Sequence, residues 1–322
     1  MIDVIFTDTH FGWKNNSMTW LNSQMNFIYN QFIPKIKELS KTESVRVIHC
    51  GDVFDSRSTI STYIATKVVQ AFKDIRNVCD EFVIVCGNHD FYSPNSDTVN
   101  TVKLLLGHMD ITIVDQDILE RDDCAFIPWY IYETGDFTTD AKYIFCHADI
   151  INGIIPNGCI SKTIFSGHIH TPQIKSTKKL YNLGSCYSLN FADSNSVRGF
   201  YIHKRLGEHN FVEFIPNTES IRFYRLYNEE ILTKDITTLN PNDYIELYVT
   251  ETNMSYEEYV TTIKKYTERF NHLWIIPQVV ASTSAINEEF SGYDITDIMD
   301  SIIPEDLQEF YSKVKAKINN LS

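Results

Sequence analysis

No stretch of the 322-residue chain approaches the run of about 18 apolar residues that a membrane helix requires. The opening Met1-Ile2-Asp3-Val4-Ile5-Phe6 has no basic segment and meets Asp8 almost at once, so no secretory leader is expected. The expectation is a soluble cytoplasmic protein with no membrane partner. The seven cysteines, Cys50, Cys79, Cys86, Cys124, Cys146, Cys159 and Cys186, are odd in number and contain no C-x-x-C pair. Several sit inside apolar runs such as Phe82-Val83-Ile84-Val85-Cys86, which argues for small buried thiols in a reducing compartment and against a disulfide framework or a thiolate zinc site. Internal repeats and low-complexity tracts are also missing.

Basic residues are scarce as well. Lys and Arg number 28 against 42 Asp and Glu, a net charge of −14. That is the wrong sign for holding a polyanion by general attraction. The deficit is uneven: residues 1–205 carry 19 basic and 22 acidic residues (−3), and residues 206–322 carry 9 and 20 (−11). Two divalent cations would bring the first part to about +1. Any polyanionic substrate must therefore be held locally.

What is present is ample core material, 43% hydrophobic residues with a strand and helix pattern. Short apolar runs end in Gly, Asp, Asn or His at Val4–Thr7, Val45–Cys50, Phe82–Cys86, Ile111–Val114, Cys124–Ile127, Tyr143–Cys146 and Thr163–Ser166. Between them, apolar residues at i, i+3 and i+4 predict helices over Thr19–Leu39, Thr59–Ile75 and Asp97–Leu106. The alternation predicts an α/β layered domain. From Leu180 to about Ile215 short strands with Gly and Asn turns predict an antiparallel part of the same core. After Pro216 a smaller α/β unit is expected: strands Ile221–Leu226 and Tyr244–Val249, a helix Ser255–Phe270 with Ser255 and Glu258 in capping-box spacing, and a strand Leu273–Val280. Helices broken at Pro304 are expected in the tail. The predicted domains are 1–215, 216–282 and 283–322.

Five of the strand-like runs end in the same kinds of side chain: Asp8-Thr9-His10, Gly51-Asp52, Gly87-Asn88-His89-Asp90, His147, and Gly167-His168-Ile169-His170. On extended chain, residues i and i+2 project to one side, so Asp8 with His10, and His168 with His170, each form a half-site. In α/β sheets ligands bind at the carboxyl ends of the strands, where all five segments lie. Asp8, His10, Asp52, Asn88, His147, His168 and His170 combine carboxylate, amide oxygen and imidazole without thiolate. That set suits Mn²⁺, Fe²⁺ or Zn²⁺, and is too large for one ion. With Asp52 shared it makes two sites of four, an arrangement that can activate a hydroxide for in-line phosphoryl displacement. His89 is left over, able to protonate a leaving alkoxide.

The set resembles the calcineurin-like metallophosphoesterase signature, D-x-H, G-D-x-x-D, G-N-H-D, H and G-H-x-H. Within that superfamily it resembles the SbcD-type double-strand-break repair nucleases, above all the shorter bacteriophage recombination-nuclease subunits. The finer matches are Gly51-Asp52-Val53-Phe54-Asp55-Ser56-Arg57, Ile127-Pro128-Trp129, Leu183-Gly184-Ser185 and Arg198-Gly199-Phe200. The likeness rests on motifs over residues 1–205 and on architecture beyond. It implies a four-layer α/β fold, two packed mixed β-sheets flanked by helices, with a small α/β capping domain and C-terminal helices. It implies Asp8, His10, Asp52 and His170 on one metal, Asp52, Asn88, His147 and His168 on the other, and His89 as the catalytic histidine. It implies two divalent ions, Mn²⁺ first, with Mg²⁺, Fe²⁺ or Zn²⁺ as substitutes. The partners it implies are DNA, a second copy of the chain, and an SbcC-type SMC-like ATPase docked on residues 283–322, in the host cytoplasm if the source is viral. Asp55 departs from those members that have His there.

Other readings compete. A stand-alone metallophosphatase acting on nucleotides or phosphoproteins shares the five motifs, and a non-catalytic scaffold shares the fold. His49, inside an apolar strand, reads as a packed core residue. Trp13 and Trp20, just after the first motif, are the aromatic residues placed to meet DNA.

Overall fold

Apolar runs bounded by Gly, Asp and His become strands in the computed structural model, which describes residues 1–93, 96–206, 209–250 and 256–278. The chain divides into two units, Met1–Ile276 and Pro277–Ser322, and the first is described below. The expected tail helices and ATPase-docking segment at 283–322 fall outside the described residues, as does Ser255 of the expected capping pattern. Among the described residues no helix is long and apolar enough to cross a membrane.

Twelve strands form two sheets of six. In spatial order the first contains His209–Pro216, Gly199–Leu206, Ile2–Phe6, Val45–His49, Glu81–Val85 and Thr112–Val114. Its last four strands are parallel, and the first two are an antiparallel hairpin closing one edge. The second contains Gln173–Lys175, Leu180–Asn182, Thr163–Gly167, Tyr143–His147, Cys124–Ile127 and Leu119–Arg121, four parallel strands with one antiparallel strand on either edge. The register is level where the strands stop: Phe6 pairs with His49, and His147 with Gly167.

Side chains alternate between faces with period two, and both faces are covered, so the parallel strands read as continuous apolar runs. Val4, Phe6, Val47, Phe82 and Ile84 pack beneath the helices, against Phe27, Phe32, Val68 and Phe72. From the other face Ile5, Ile48, Val83 and Val85 meet Phe126, Phe145 and Phe165 of the second sheet. The far face of that sheet, with Ile127, Ile144 and Ile164, is covered by Tyr132, Ile150 and Cys159. This gives the mixed four-layer α/β arrangement expected. The seven cysteines are free, and all but Cys79 are buried.

The expected helix Thr19–Leu39 is three pieces in one rod: Met18–Phe27, a π-helical turn Ile28–Phe32, and Ile33–Leu39. Pro34 has no N–H to give the carbonyl of Asn30, and a widened turn accommodates the loss without a break. The expected helix Asp97–Leu106 is corrected. Residues 96–100 are a strand, and the helix is Thr101–Leu106, because Asn100 Oδ1 accepts from the Lys103 N–H at 2.6 Å and caps it there. The helix Thr62–Arg76 starts at Ser61, whose Oγ accepts from Ile64 N.

Beyond residue 216 the strands are Phe223–Tyr227, Tyr244–Thr250 and His272–Gln278, with the helix Tyr256–Arg269 and a short unexpected helix Asn228–Thr233. Leu226, Ile231, Ile245, Leu247, Tyr266 and Phe270 form a core of their own. Trp20 joins this part to the rest. Its ring lies 5.6 Å from that of Phe223 at 9° and 5.8 Å from that of Tyr244, with Lys14 Nζ 5.1 Å above it. Trp20 is buried, which removes it as a DNA contact. Its bulk is used for packing. Trp13 is half-buried, donates to Leu189 O at 3.0 Å, and keeps its ring 6.1 Å from His10.

Candidate metal centre

At the level where the parallel strands stop, the backbone turns sharply. Asp8, His10, Asp52 and His168 have φ of +51°, +40°, +57° and +86°, a region that residues with a Cβ rarely adopt. Such strain persists only where surrounding bonds impose it. The Thr9 carbonyl accepts from Gln24 Nε2 at 2.9 Å and from the Tyr187 hydroxyl. Thr9 Oγ1 donates to Val53 O and meets His49 Nε2, each at 3.0 Å. The buried Asp90 carboxylate accepts from the N–H groups of Asp52 (3.0 Å), Val53 (2.9 Å) and Gly87 (2.9 Å), tying two loops together.

Glycine is required where these loops touch. A Cβ on Gly87 would lie 2.3 Å from Asp52 Oδ1, and one on Gly51 2.4 Å from His147 Nδ1.

All seven residues expected as ligands converge. Asp8, His10 and His170 gather their donor atoms in one group. His10 Nε2 and His170 Nε2 are 3.1 Å apart, and each is 3.8 Å from Asp8 Oδ1. Asn88 Oδ1 lies 3.1 Å from both His147 Nε2 and His168 Nδ1. Asp52 Oδ2 faces both groups, 3.7 Å from His10 Nε2 and 3.3 Å from His147 Nε2. Donors about 2.1 Å from a shared cation would stand about 3.0–3.4 Å apart in octahedral or tetrahedral geometry; the separations around Asn88 and His147, 3.1–3.3 Å, match that range, and around Asp8 only the His10–His170 pair does, the carboxylate distances of 3.7–3.8 Å being wider. His147 Nδ1 donates to Cys50 O at 2.7 Å, which fixes its tautomer with Nε2 toward Asn88 and Asp52.

Burial opposes ionisation of Asp52, yet His147, then His10 and His89, hold its carboxyl far below the ordinary range. Asp8 is likewise lowered against burial, by His10, His147 and His170. Burial lowers the His147 imidazole, but Asp52 and then Asp8 outweigh it and push it up to about 9. His168 and His170 are lowered, burial being the first cause. His49 is pushed down to about 3 by burial, and its ring packs edge-on against Phe6 at 4.5 Å. It is a neutral core residue, as its strand position suggested.

His89 sits at the rim, half-buried. Its backbone N–H donates to Asp52 Oδ1 at 2.8 Å, and its Nδ1 donates to the Asp55 carbonyl at 2.6 Å, leaving Nε2 as the free ring nitrogen. Its ring is 5.0 Å from that of His10, and with His10 and Asp52 it makes a further group of donors. Asp55 thus orients His89 through its carbonyl, while its carboxylate stands 3.6 Å from His10 Nδ1.

Sequence reasoning did not assign the work of Asp90, Gln24 and Tyr187. Asp90 was visible as the last letter of Gly-Asn-His-Asp. Gln24 and Tyr187 reach Thr9 from distant segments and leave no local signal.

Residues 4–276 match the family model described as calcineurin-like phosphoesterase. No curated protein matches the chain.

Proposed function

The chain belongs to the calcineurin-like phosphoesterase family, and from that premise we propose that it hydrolyses phosphodiester bonds of DNA, as the nuclease subunit of an SbcCD-like repair or recombination complex. Asp8, His10, Asp52 and His170 hold one divalent cation, and Asp52, Asn88, His147 and His168 hold the second, with Mn²⁺ the preferred ion. When bound, two such ions supply Lewis-acid stabilisation of the phosphoryl oxygens and lower the pKa of an attacking water. The chain's own groups do the rest. Asp52, held anionic and hydrogen-bonded to the His89 backbone, fixes the spacing of the two halves. His89, anchored through Nδ1 on Asp55 O, delivers a proton from Nε2 to the leaving alkoxide as the P–O bond breaks.

The observation that carries the phosphoesterase reading is the pair of donor groups sharing Asp52. The nuclease assignment is supported by the motif likeness and by the α/β unit after residue 216, which acts as a capping domain over 216–282. Residues 283–322 recruit the ATPase, and two copies of the chain form the working dimer.

The test compares Mn²⁺-dependent activity on duplex DNA, single-stranded DNA and a small phosphomonoester. Preference for the monoester with no DNA cleavage would replace the nuclease with a phosphatase. His89→Ala should keep both ions by metal analysis and lose cleavage by about 10²–10⁴-fold. A pull-down of a partner ATPase by the intact chain but not by 1–282 checks the docking role.

A further inference from the structure

Acidic residues number 42 in 322, a density at which 43 positions would carry five or six. Between Asp149 and Asp193, the 43 positions 150–192 carry none, the longest such interval in the chain, and they carry Lys162, Lys175, Lys178 and Lys179. The interval includes Gly167-His168-Ile169-His170, so the least acidic stretch of an acidic protein is also the one that supplies two of the site's imidazoles. Residues 173–179 are exposed throughout. Lys162, Lys178 and Lys179 surround a cleft of about 490 Å³ bordered by Ile155 and Leu180. Ile155 also borders a neighbouring cleft of about 520 Å³ that reaches His168. Lys175 Nζ donates to Ile151 O at 2.9 Å, leaving two further N–H donors on the ammonium. The carboxylates on the second cleft are Glu133 and Asp149, and Asp149 already accepts from the N–H groups of Ile151 and Asn152. The two clefts thus run from the metal centre to a lysine cluster.

We propose that this face carries the nucleic-acid strand beyond the scissile phosphodiester, with Lys162, Lys175, Lys178 and Lys179 neutralising its phosphates. The assignment rests on the nuclease reading above. A surface reading competes, because lysine on an edge strand also blocks unwanted pairing between sheets. That explanation covers Lys175, which ends the edge strand Gln173–Lys175, but Lys162, Lys178 and Lys179 lie off that strand and around the cleft.

The test measures binding of the full chain to labelled single-stranded and duplex DNA by fluorescence anisotropy in EDTA, where hydrolysis cannot compete, over a series of salt concentrations. Replacing Lys175, Lys178 and Lys179 together by Ser should flatten the log–log salt dependence by about 2–3, close to one per lost phosphate contact. Replacing the same three by Arg should restore it, which separates charge from folding. The form of DNA whose slope changes identifies the bound strand. A Ser variant with the wild-type slope on both forms would overturn the proposal and leave the lysines as an edge guard, and so would an Arg variant as flat as the Ser variant. Wild-type protein with the lysine-dependent slope that cleaves neither DNA form in Mn²⁺ would refute the nuclease reading alone.

Discussion

Gly87→Ala isolates the spacing of the centre from its chemistry, because Gly87 has an ordinary backbone conformation and the added methyl bears no charge. Its Cβ would stand 2.3 Å from Asp52 Oδ1, 2.5 Å from Asp52 N and 3.0 Å from His147 Cδ2. A carbon–oxygen contact settles no closer than about 3.3 Å, so Asp52 must retreat by about 1 Å. The same carboxylate faces both donor groups, and a displacement of about 1 Å at a reacting centre costs about 10²-fold in rate. Overpacking adds a stability cost of about 1–3 kcal/mol. The expected result is a loss of about 10²-fold in kcat/KM for Mn²⁺-dependent hydrolysis of bis(p-nitrophenyl) phosphate, with weaker Mn²⁺ binding by calorimetry. A folded Gly87→Ala protein with wild-type kcat/KM and wild-type Mn²⁺ affinity would refute the argument that Asp52 fixes the centre.

Three further outcomes follow from particular contacts. Asp90→Asn turns an acceptor of several backbone N–H bonds into a group with an NH₂ facing at least one of them, and should cost about 1–3 kcal/mol in chemical denaturation while weakening metal affinity. In the metal-free protein His147 is raised to about 9, so its pair with Asp52 stabilises the fold fully below the unfolded value near 6.5 and less as pH rises through 9. A cation bound at His147 must displace that proton, and His10 is raised as well by Asp8 and Asp52 against burial, so calorimetry in buffers of different ionisation enthalpy should register proton release at about pH 7.5 whose His147 share falls as pH rises through 9. Trp20→Ala removes the ring stacked on Phe223 and Tyr244 and should cost about 3–5 kcal/mol, read by thermal unfolding.

The candidate metal centre was legible because the side chains that gather there sit at the ends of strands, and both strand and side-chain type are local patterns. Cys124–Ile127 is the strand expected to the residue, six other parallel strands differ by a residue or two at their ends, and Leu180–Asn182, expected in an antiparallel part, pairs parallel with Thr163–Gly167. What was not legible depended on contacts made across the fold. The helical pattern over 97–106 does not register the Asn100 side chain, whose cap on the Lys103 N–H sets the start of the helix. Trp20 followed a catalytic motif and looked like a rim aromatic, but its partner Phe223 comes two hundred residues later, and only the packed structure reveals the stack. The helix Asn228–Thr233 was hidden by its length, too short for a 3.6-residue period to register.

The donors come from both sheets: Asp8, His10, Asp52 and Asn88 follow strands of the first, and His147, His168 and His170 end or follow strands of the second. A half-folded chain with one sheet formed therefore lacks either complete set. Divalent ions can be captured only after the sheets have met, which places loading late on the folding route. Cations held this way should slow unfolding far more than they hasten folding, so that a chelator shortens the lifetime of the native state and leaves the rate of its formation nearly unchanged.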